Sequence, residues 1–187
     1  MTPPRSRDDW IQAAIAGLSA HGEAGLSVEG LARRLRVTKG SFYWHFQNRA
    51  ALLGALLEAF EARGADEPIA ELSLLADGRD RLRLLFALAF RHPEELRAEQ
   101  ALFAMKEPGV RRVLQRVHKK RRAFLTLTYR SLGLAQEDAE AWAATAYAAF
   151  VGAVGLATQA PWNDDEQLLV WVEHLVQVLI PPQCPRT

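Results

Sequence analysis

The chain has 187 residues, 49% of them hydrophobic, with 23 Lys/Arg against 22 Asp/Glu. That length fits one medium domain or two small ones with a sizeable core, and the net charge of +1 excludes a polycation that coats nucleic acid indiscriminately. The balance is uneven, with 8 Lys/Arg and 6 Asp/Glu in residues 1–64 against 15 and 16 in the rest, so any nucleic-acid contact is local to one patch.

The opening MTPPRSRDDW has no apolar h-region, so no secretory signal is expected there. Ser6 can cap a first helix, with Asp8 and Asp9 in its first turn, where the helix dipole favours acids. Trp10, Ile11, Ala14, Ile15 and Leu18 follow at helical spacing, and His21-Gly22 ends the run, Gly22 being a natural left-handed cap. From Ser27 to Arg49 the sequence reads SVEGLARRLRVTKGSFYWHFQNR. Ser27 is an N-cap, and Leu26 and Leu31 have the spacing of a hydrophobic staple. Leu31, Ala32 and Leu35 give one apolar face, Arg36-Val37 breaks it, and Thr38 is a second N-cap before a helix over Lys39 to Phe46. Two short helices joined so tightly predict a helix-turn-helix, whose second helix can enter the DNA major groove. Between Gly30 and Leu57 stand Arg33, Arg34, Arg36, Lys39, His45 and Arg49, with no Asp or Glu. A lone basic run is usually a solvated face. Here it sits on capped helices beside Tyr43 and Trp44, which points to DNA.

A long helix is expected from Arg49 to about Gly64, with Leu52, Leu53, Leu56, Leu57 and Phe60 apolar. Residues 64–79, with Pro68 and Gly78, read as a connection with a weak helical turn and mark a domain boundary. Residues 79–91 are amphipathic, with Leu82, Leu85, Phe86, Ala89 and Phe90 facing inward. Pro93 and Pro108 each restart a helix as an N1 proline. The second runs to Leu132-Gly133, with Val110, Val113, Leu114, Val117, Phe124 and Leu127 as its stripe and a solvated basic face. Residues 141–163 lack charge, but acids flank them on both sides and no Lys or Arg anchors either end, so a buried helix is expected rather than a membrane span. Asn163 then caps a last helix with Leu168, Leu169, Trp171, Val172, Leu175, Val176 and Leu179. A terminal helix that apolar needs a partner inside the subunit and one outside it, with Trp171, Val172, Leu175 and Leu179 assigned to the outer contact.

No enzyme signature emerges. His-Glu-x-x-His and Glu-x-x-His are both missing, Thr38-Lys39-Gly40-Ser41 is no phosphate loop, and Asp164-Asp165 lacks a third aspartate at diphosphate–magnesium spacing. His92, His118 and His174 read as surface or capping groups. The single Cys184 forms neither an internal disulfide nor a Cys-cluster zinc site, which fits a reducing cytoplasm. No catalytic residue, metal or cofactor is therefore expected.

The segment VTKGSFYWHFQNRAALLGALLEAF resembles the DNA-binding region of the TetR/AcrR family of bacterial transcriptional regulators. The likeness lies in Tyr43-Trp44-His45-Phe46, the link Gln47-Asn48-Arg49 and the apolar start at Leu52-Leu53; it is strong over about residues 6–60 and rests on helix pattern beyond. Two positions depart from the family. Arg36 stands where a turn glycine is usual, which costs about 1 kcal/mol if the position needs positive φ. Arg49 stands where lysine is common.

The resemblance implies an all-α protein: a helix-turn-helix domain with its linking helix (1–64) and a helical effector-binding and dimerisation domain (65–187). It implies a cytoplasmic homodimer, pairing helices at about 136–160 and 164–180 as a four-helix bundle. It implies a double-stranded DNA operator as partner, and a repressor released by a small molecule. Ser27, Thr38, Lys39, Gly40, Ser41, Tyr43, Trp44, His45 and Arg49 are the expected DNA-binding residues, with Lys39 and Ser41 for base edges and Trp44 shared between groove and core. An effector chamber would draw on Phe86, Phe90, Phe103, Trp142, Tyr147 and Phe150, with a hydrophobic or aromatic ligand. The alternatives are a constitutive DNA-binding regulator, or a helical-bundle enzyme or scaffold with a vestigial helix-turn-helix.

Overall fold

The computed structural model describes residues 5–156 and 165–181. Within them the chain is all-α: α1 (Arg7–His21), α2 (Val28–Leu35), α3 (Lys39–Tyr43), α4 (Arg49–Glu61), α5 (Glu67–Ser73), α6 (Gly78–Ala89), α7 (Pro93–Ala104), α8 (Pro108–Ser131), α9 (Gln136–Gly155) and α10 (Asp165–Leu179). They form two compact units. The first holds the residues up to Gly64 and Pro93–Val117, and the second Ala65–His92 and the residues from His118 on. The division expected from sequence, 1–64 and 65–187, did not anticipate that α7 and the start of α8 pack with the N-terminal helices.

In the first unit α1 begins where Ser6 and Asp9 cap one another. The Asp9 N–H donates to Ser6 Oγ at 3.1 Å, and the Ser6 N–H to the Asp9 carboxylate at 2.7 Å. It ends at Gly22, whose φ of 58° is positive as expected. Its ψ of −147° is extended rather than left-handed helical, a region open essentially only to glycine. A 3-10 turn (Gly22–Leu26) follows and packs on α1. A Cβ on Gly25 would lie 2.0 Å from the Gly17 carbonyl oxygen, so this crossing requires two glycines. Trp10, Leu18, Leu26, Leu31, Leu52 and Leu56 close the core. α7 lies along α1 and the 3-10 turn, with Arg97 Nε donating to Ser19 Oγ at 3.4 Å. Arg116, on the part of α8 belonging to this unit, clamps the Glu61 carboxylate at the end of α4, its Nε donating at 3.0 Å and its Nη2 at 2.5 Å.

The chain is helical from Arg49 past Gly64, as expected, but the helix changes its winding on the way. α4 stops at Glu61, a wider π-type turn spans Ala62–Asp66, and α5 follows with Pro68 in its first turn. Residues 64–79 are thus mostly helical, because a proline that looks like a breaker suits the first turn of a helix. In the second unit Asp77 caps α6, accepting from the Arg79 and Asp80 N–H groups at 2.7 and 3.0 Å. Leu82, Phe86 and Phe90 turn inward, as the periodicity predicted. Of the expected α8 stripe, Phe124 is buried in this unit, but Leu127 is exposed while Thr128 and Tyr129 take inward places. The Tyr129 hydroxyl donates to the Leu179 carbonyl at 2.6 Å, tying α8 to the end of α10. On α9 Ala143, Ala146, Ala153 and Val154 of the uncharged stretch are buried, while Ala141, Ala144, Thr145 and Ala148 are exposed, so the helix has one buried side rather than being buried all round. The expected cap Asn163 lies outside the described residues, as does Cys184.

Candidate nucleic-acid interface

The recognition segment is pinned from beneath. Phe42, on α3, and Phe46, at the end of the turn that follows it, are both turned into the core. Phe42 is fully buried, edge-on to Trp10 of α1 at 5.3 Å and stacked on Phe46 at 5.5 Å. The Arg7 guanidinium lies over the other aromatic anchor, 5.1 Å from the Phe46 ring centre. With that side fixed, Lys39, Gly40, Tyr43 and Trp44 point outward. Tyr43 is 59% and Trp44 89% exposed, so Trp44 takes no part in the core; the expected sharing is corrected by α3 ending at Tyr43, which swings residue 44 off the inward face. The helix expected to reach Phe46 closes instead with a tight turn, in which the His45 and Phe46 N–H groups both donate to the Phe42 carbonyl at 2.9 Å. Ser41 and His45 are half-buried at the edge.

The caps hold this surface still. Ser27 Oγ accepts from the Gly30 N–H at 3.2 Å, which leaves its own hydroxyl proton free for another acceptor. Thr38 occupies the N-cap position of α3, but its side chain makes no capping bond. Its exposed hydroxyl is therefore uncommitted. α4 is capped by Asn48, whose Oδ1 accepts from the Ala51 N–H at 2.9 Å. In the sequence Asn48 stands within the polar link Gln47-Asn48-Arg49, which hides its capping role. Arg36 ends α2 in the left-handed region, at φ 57° and ψ 44°, with its N–H directed back to the Ala32 and Arg33 carbonyls.

The cations divide into two groups. Arg33, Arg34 and Arg36 are exposed and have no ion-pair partner among the described residues. Lys39 and Arg49 are paired. The Lys39 ammonium binds Glu29 of α2, and this hydrogen bond is the main reason the Glu29 carboxyl lies below its ordinary range and Lys39 above its own. Arg49 binds Glu23 at 3.0 Å and Glu107 at 3.4 Å. The basic interval from Gly30 to Leu57 holds no acid, yet folding brings three to its edges. Glu29 lies one residue outside that window and ten residues from Lys39, and their pairing is invisible until α2 and α3 fold together.

The expected chamber residues separate. Phe90, Tyr147 and Phe150 form one aromatic group in the second unit, with Phe90 to Phe150 at 5.8 Å and Tyr147 stacked on Phe150 at 6.1 Å. Trp171 meets Phe90 edge-on at 4.9 Å, His118 meets Tyr147 at 5.5 Å, and Arg121 lies 4.9 Å over Phe150. Trp142 packs instead on Tyr129, at 5.9 Å. Phe86 is buried on α6, and Phe103 belongs to the first unit. His118, expected as a surface or capping group, is half-buried against Tyr147. Val172, Leu175 and Leu179, assigned to an outer contact, are buried within the protomer, and Trp171 is partly so. Among the described side chains, the large apolar ones that α10 exposes are Leu169, Val170 and Val178.

Residues 11–56 match the family model for the N-terminal domain of bacterial regulatory proteins of the tetR family. The class A tetracycline repressor from transposon 1721 of Escherichia coli is 48% identical over 52 residues, 28% of this chain and 24% of that protein. The class G tetracycline repressor of Vibrio anguillarum is 51% identical over 49 residues, 26% of this chain and 23% of that protein. The chain thus matches only about a quarter of the length of these repressors. Over the whole chain the likeness is one of fold. The fatty acid degradation regulator FadR of Bacillus halodurans superposes with a TM-score of 0.76 over 100% of this chain and 99% of its own, at 19% identity. A TetR transcriptional regulator from Legionella pneumophila gives 0.76 over 97% and 100%, at 15% identity.

Proposed function

We propose that this chain, a protein of the TetR family by its N-terminal domain, is a DNA-binding transcriptional regulator that acts as a repressor on a palindromic operator. One observation carries the proposal. Phe42 and Phe46 anchor a short helix whose opposite side is Lys39, Gly40, Tyr43 and Trp44, flanked by the unpaired Arg33, Arg34 and Arg36. A tryptophan and a tyrosine left in water beside cations cost hydration free energy, which DNA contact recovers. Lys39 and Ser41 are assigned to base edges. Ser27, Thr38, Tyr43, His45 and Arg49 are assigned to phosphates, where they set register and carry no sequence information. The work of such a protein is recognition, with no catalytic group, cofactor or metal. No described helix is long and apolar enough to cross a membrane.

The second unit is assigned to effector binding and to pairing with a second copy. The tetracycline repressors carry a ligand in their name, and by analogy a small hydrophobic or aromatic molecule would act here on the aromatic group around Phe90, Tyr147 and Phe150. Linkage then requires that ligand and DNA weaken each other's binding by the same factor, commonly a coupling of about 1–3 kcal/mol.

The test is duplex binding followed by anisotropy, using DNA upstream of the chain's own coding region. A Lys39→Ala variant should lose discrimination roughly ten- to a hundredfold at one or two base pairs. An Arg49→Ala variant should weaken all sequences alike. Superimposable specificity profiles for parent and Lys39→Ala would remove Lys39 from base reading, and failure of the parent to prefer any duplex would remove the proposal. Aromatic compounds that bind without releasing DNA would leave a constitutive regulator in its place.

A further inference from the structure

Arg49 is the first residue of α4, where the unpaired N–H groups of the helix create a partial positive charge. A cation is disfavoured there unless anions accompany it, and a DNA phosphate is the anion that such a helix start receives. In this protein two carboxylates already take that role. Nη1 donates to Glu107 Oε1 at 3.4 Å and Nη2 donates to Glu23 Oε1 at 3.0 Å. A lysine at this position would present a single nitrogen. The planar guanidinium presents two, and here each serves a different carboxylate. The local charge of one guanidinium and two carboxylates is negative, so an approaching phosphate meets repulsion until the carboxylates release the arginine. The Glu23 pair is exposed and the Glu107 pair only partly buried, and pairs so near the surface add little to folding stability, so stability alone does not account for a three-member cluster drawn from three separate elements.

We propose that Glu23 and Glu107 are positioning residues for the DNA contact of Arg49: they hold the guanidinium in the free protein, and phosphate must displace them. The proposal rests on the DNA-binding function above. Glu107 lies in the short link between α7 and α8, so the position of that link sets how firmly Arg49 is held, and thereby the affinity for DNA. Glu23 lies in the 3-10 turn after α1 and provides a grip independent of that link.

The experiment is a thermodynamic cycle on the full chain. The probe is a duplex selected by the parent protein from a random-sequence pool, and binding is measured across a range of salt concentrations. Glu107→Gln and Glu23→Gln are each made in the parent and in an Arg49→Gln background, with folding checked by circular dichroism. Each single variant should bind roughly two- to fivefold more tightly, the range an exposed ion pair gives. The dependence of log affinity on log salt should steepen, because no released carboxylate takes up a cation on binding. In the Arg49→Gln background both effects should disappear. Unchanged or weaker binding by both variants overturns the proposal. So does an equal gain in the Arg49→Gln background, which would mean that deleting any nearby negative charge favours DNA. If one variant fails to fold, the other decides, since the two carboxylates sit on different elements. If the parent selects no duplex, the DNA-binding function fails and this proposal with it. If the parent selects a duplex and the cycle is flat, only this proposal fails.

Discussion

Arg36 holds φ 57° at the end of α2, a conformation that brings the Cβ of any L-residue too close to its own carbonyl. The turn needs that conformation to pass from α2 to α3, and glycine meets it without strain. Arg36→Gly should therefore raise the urea midpoint, by about 0.5–1 kcal/mol of stability, while weakening DNA binding through the loss of an exposed cation. Gly40 is the converse case. A Cβ there would meet only Thr38 Oγ1, at 3.6 Å, so nothing within the protein excludes alanine. Gly40→Ala should hold or raise stability, by up to about 1 kcal/mol in a helix, yet reduce DNA affinity if backbone and DNA approach closely at that point. A calorimetric scan alongside a binding isotherm separates the two effects. Unaltered binding would show that Gly40 has no contact role.

The helices owe their limits to caps whose partners lie two or three residues away, and these were partly legible. Ser6 and Ser27 were read correctly because serine before an apolar run is a strong signal. Asp77 was missed because Pro68 and Gly78 made its neighbourhood look like a loop. Backbone N–H groups of Asp80 and Arg79 hold the Asp77 carboxyl below its ordinary range. A depressed value means that the cap stabilises above the ordinary aspartate range and is lost as pH falls through the lowered one. Asp77→Ala should accordingly lower the melting temperature at neutral pH, and its difference from the parent should shrink in acid. Tyr129 shows the opposite sign. Burial pushes its phenol well above the ordinary tyrosine range. Its contribution is complete below that range and is lost as pH rises through the folded value. In an alkaline absorbance titration Tyr129 should ionise only as the second unit unfolds. Tyr129→Phe, lacking the bond to the Leu179 carbonyl, should free the end of α10 at a cost of about 1–3 kcal/mol.

At the scale of the molecule, α10 divides its apolar residues between two tasks. Val172, Leu175 and Leu179 serve the protomer, whereas Leu169 and Val170 are 68% exposed and Val178 53%. Three large aliphatic side chains in water on one helix are what pairing with a second copy covers. Leu169→Asp with Val178→Asp should give a folded monomer by light scattering, with helical content unchanged. Val172→Asp or Leu175→Asp should unfold the second unit first. If the double variant remains a dimer, pairing uses another face. A dimer should set two recognition helices about one helical turn apart, roughly 34–36 Å, on one side of the DNA.

The sequence by itself determined the all-α class of the protein and the address of its candidate DNA-binding segment. Periodicity, caps and the run from Tyr43 to Arg49 are local properties, written within a few residues of one another. On α6 the aromatic side chains that turn inward, Phe86 and Phe90, also followed from spacing, whereas the burial of Phe42 and Phe46 emerged only with the fold. Only the tertiary structure decided which charges are compensated. Glu23, Glu29 and Glu107 lie 26, 10 and 58 residues from their partners, and an ion pair requires proximity in space rather than along the chain. It also decided that α7 and the start of α8 join the N-terminal helices, and that the inner face of α10 is Val172, Leu175 and Leu179. An apolar stripe states that a helix must be covered, and the arrangement of the other helices determines by what.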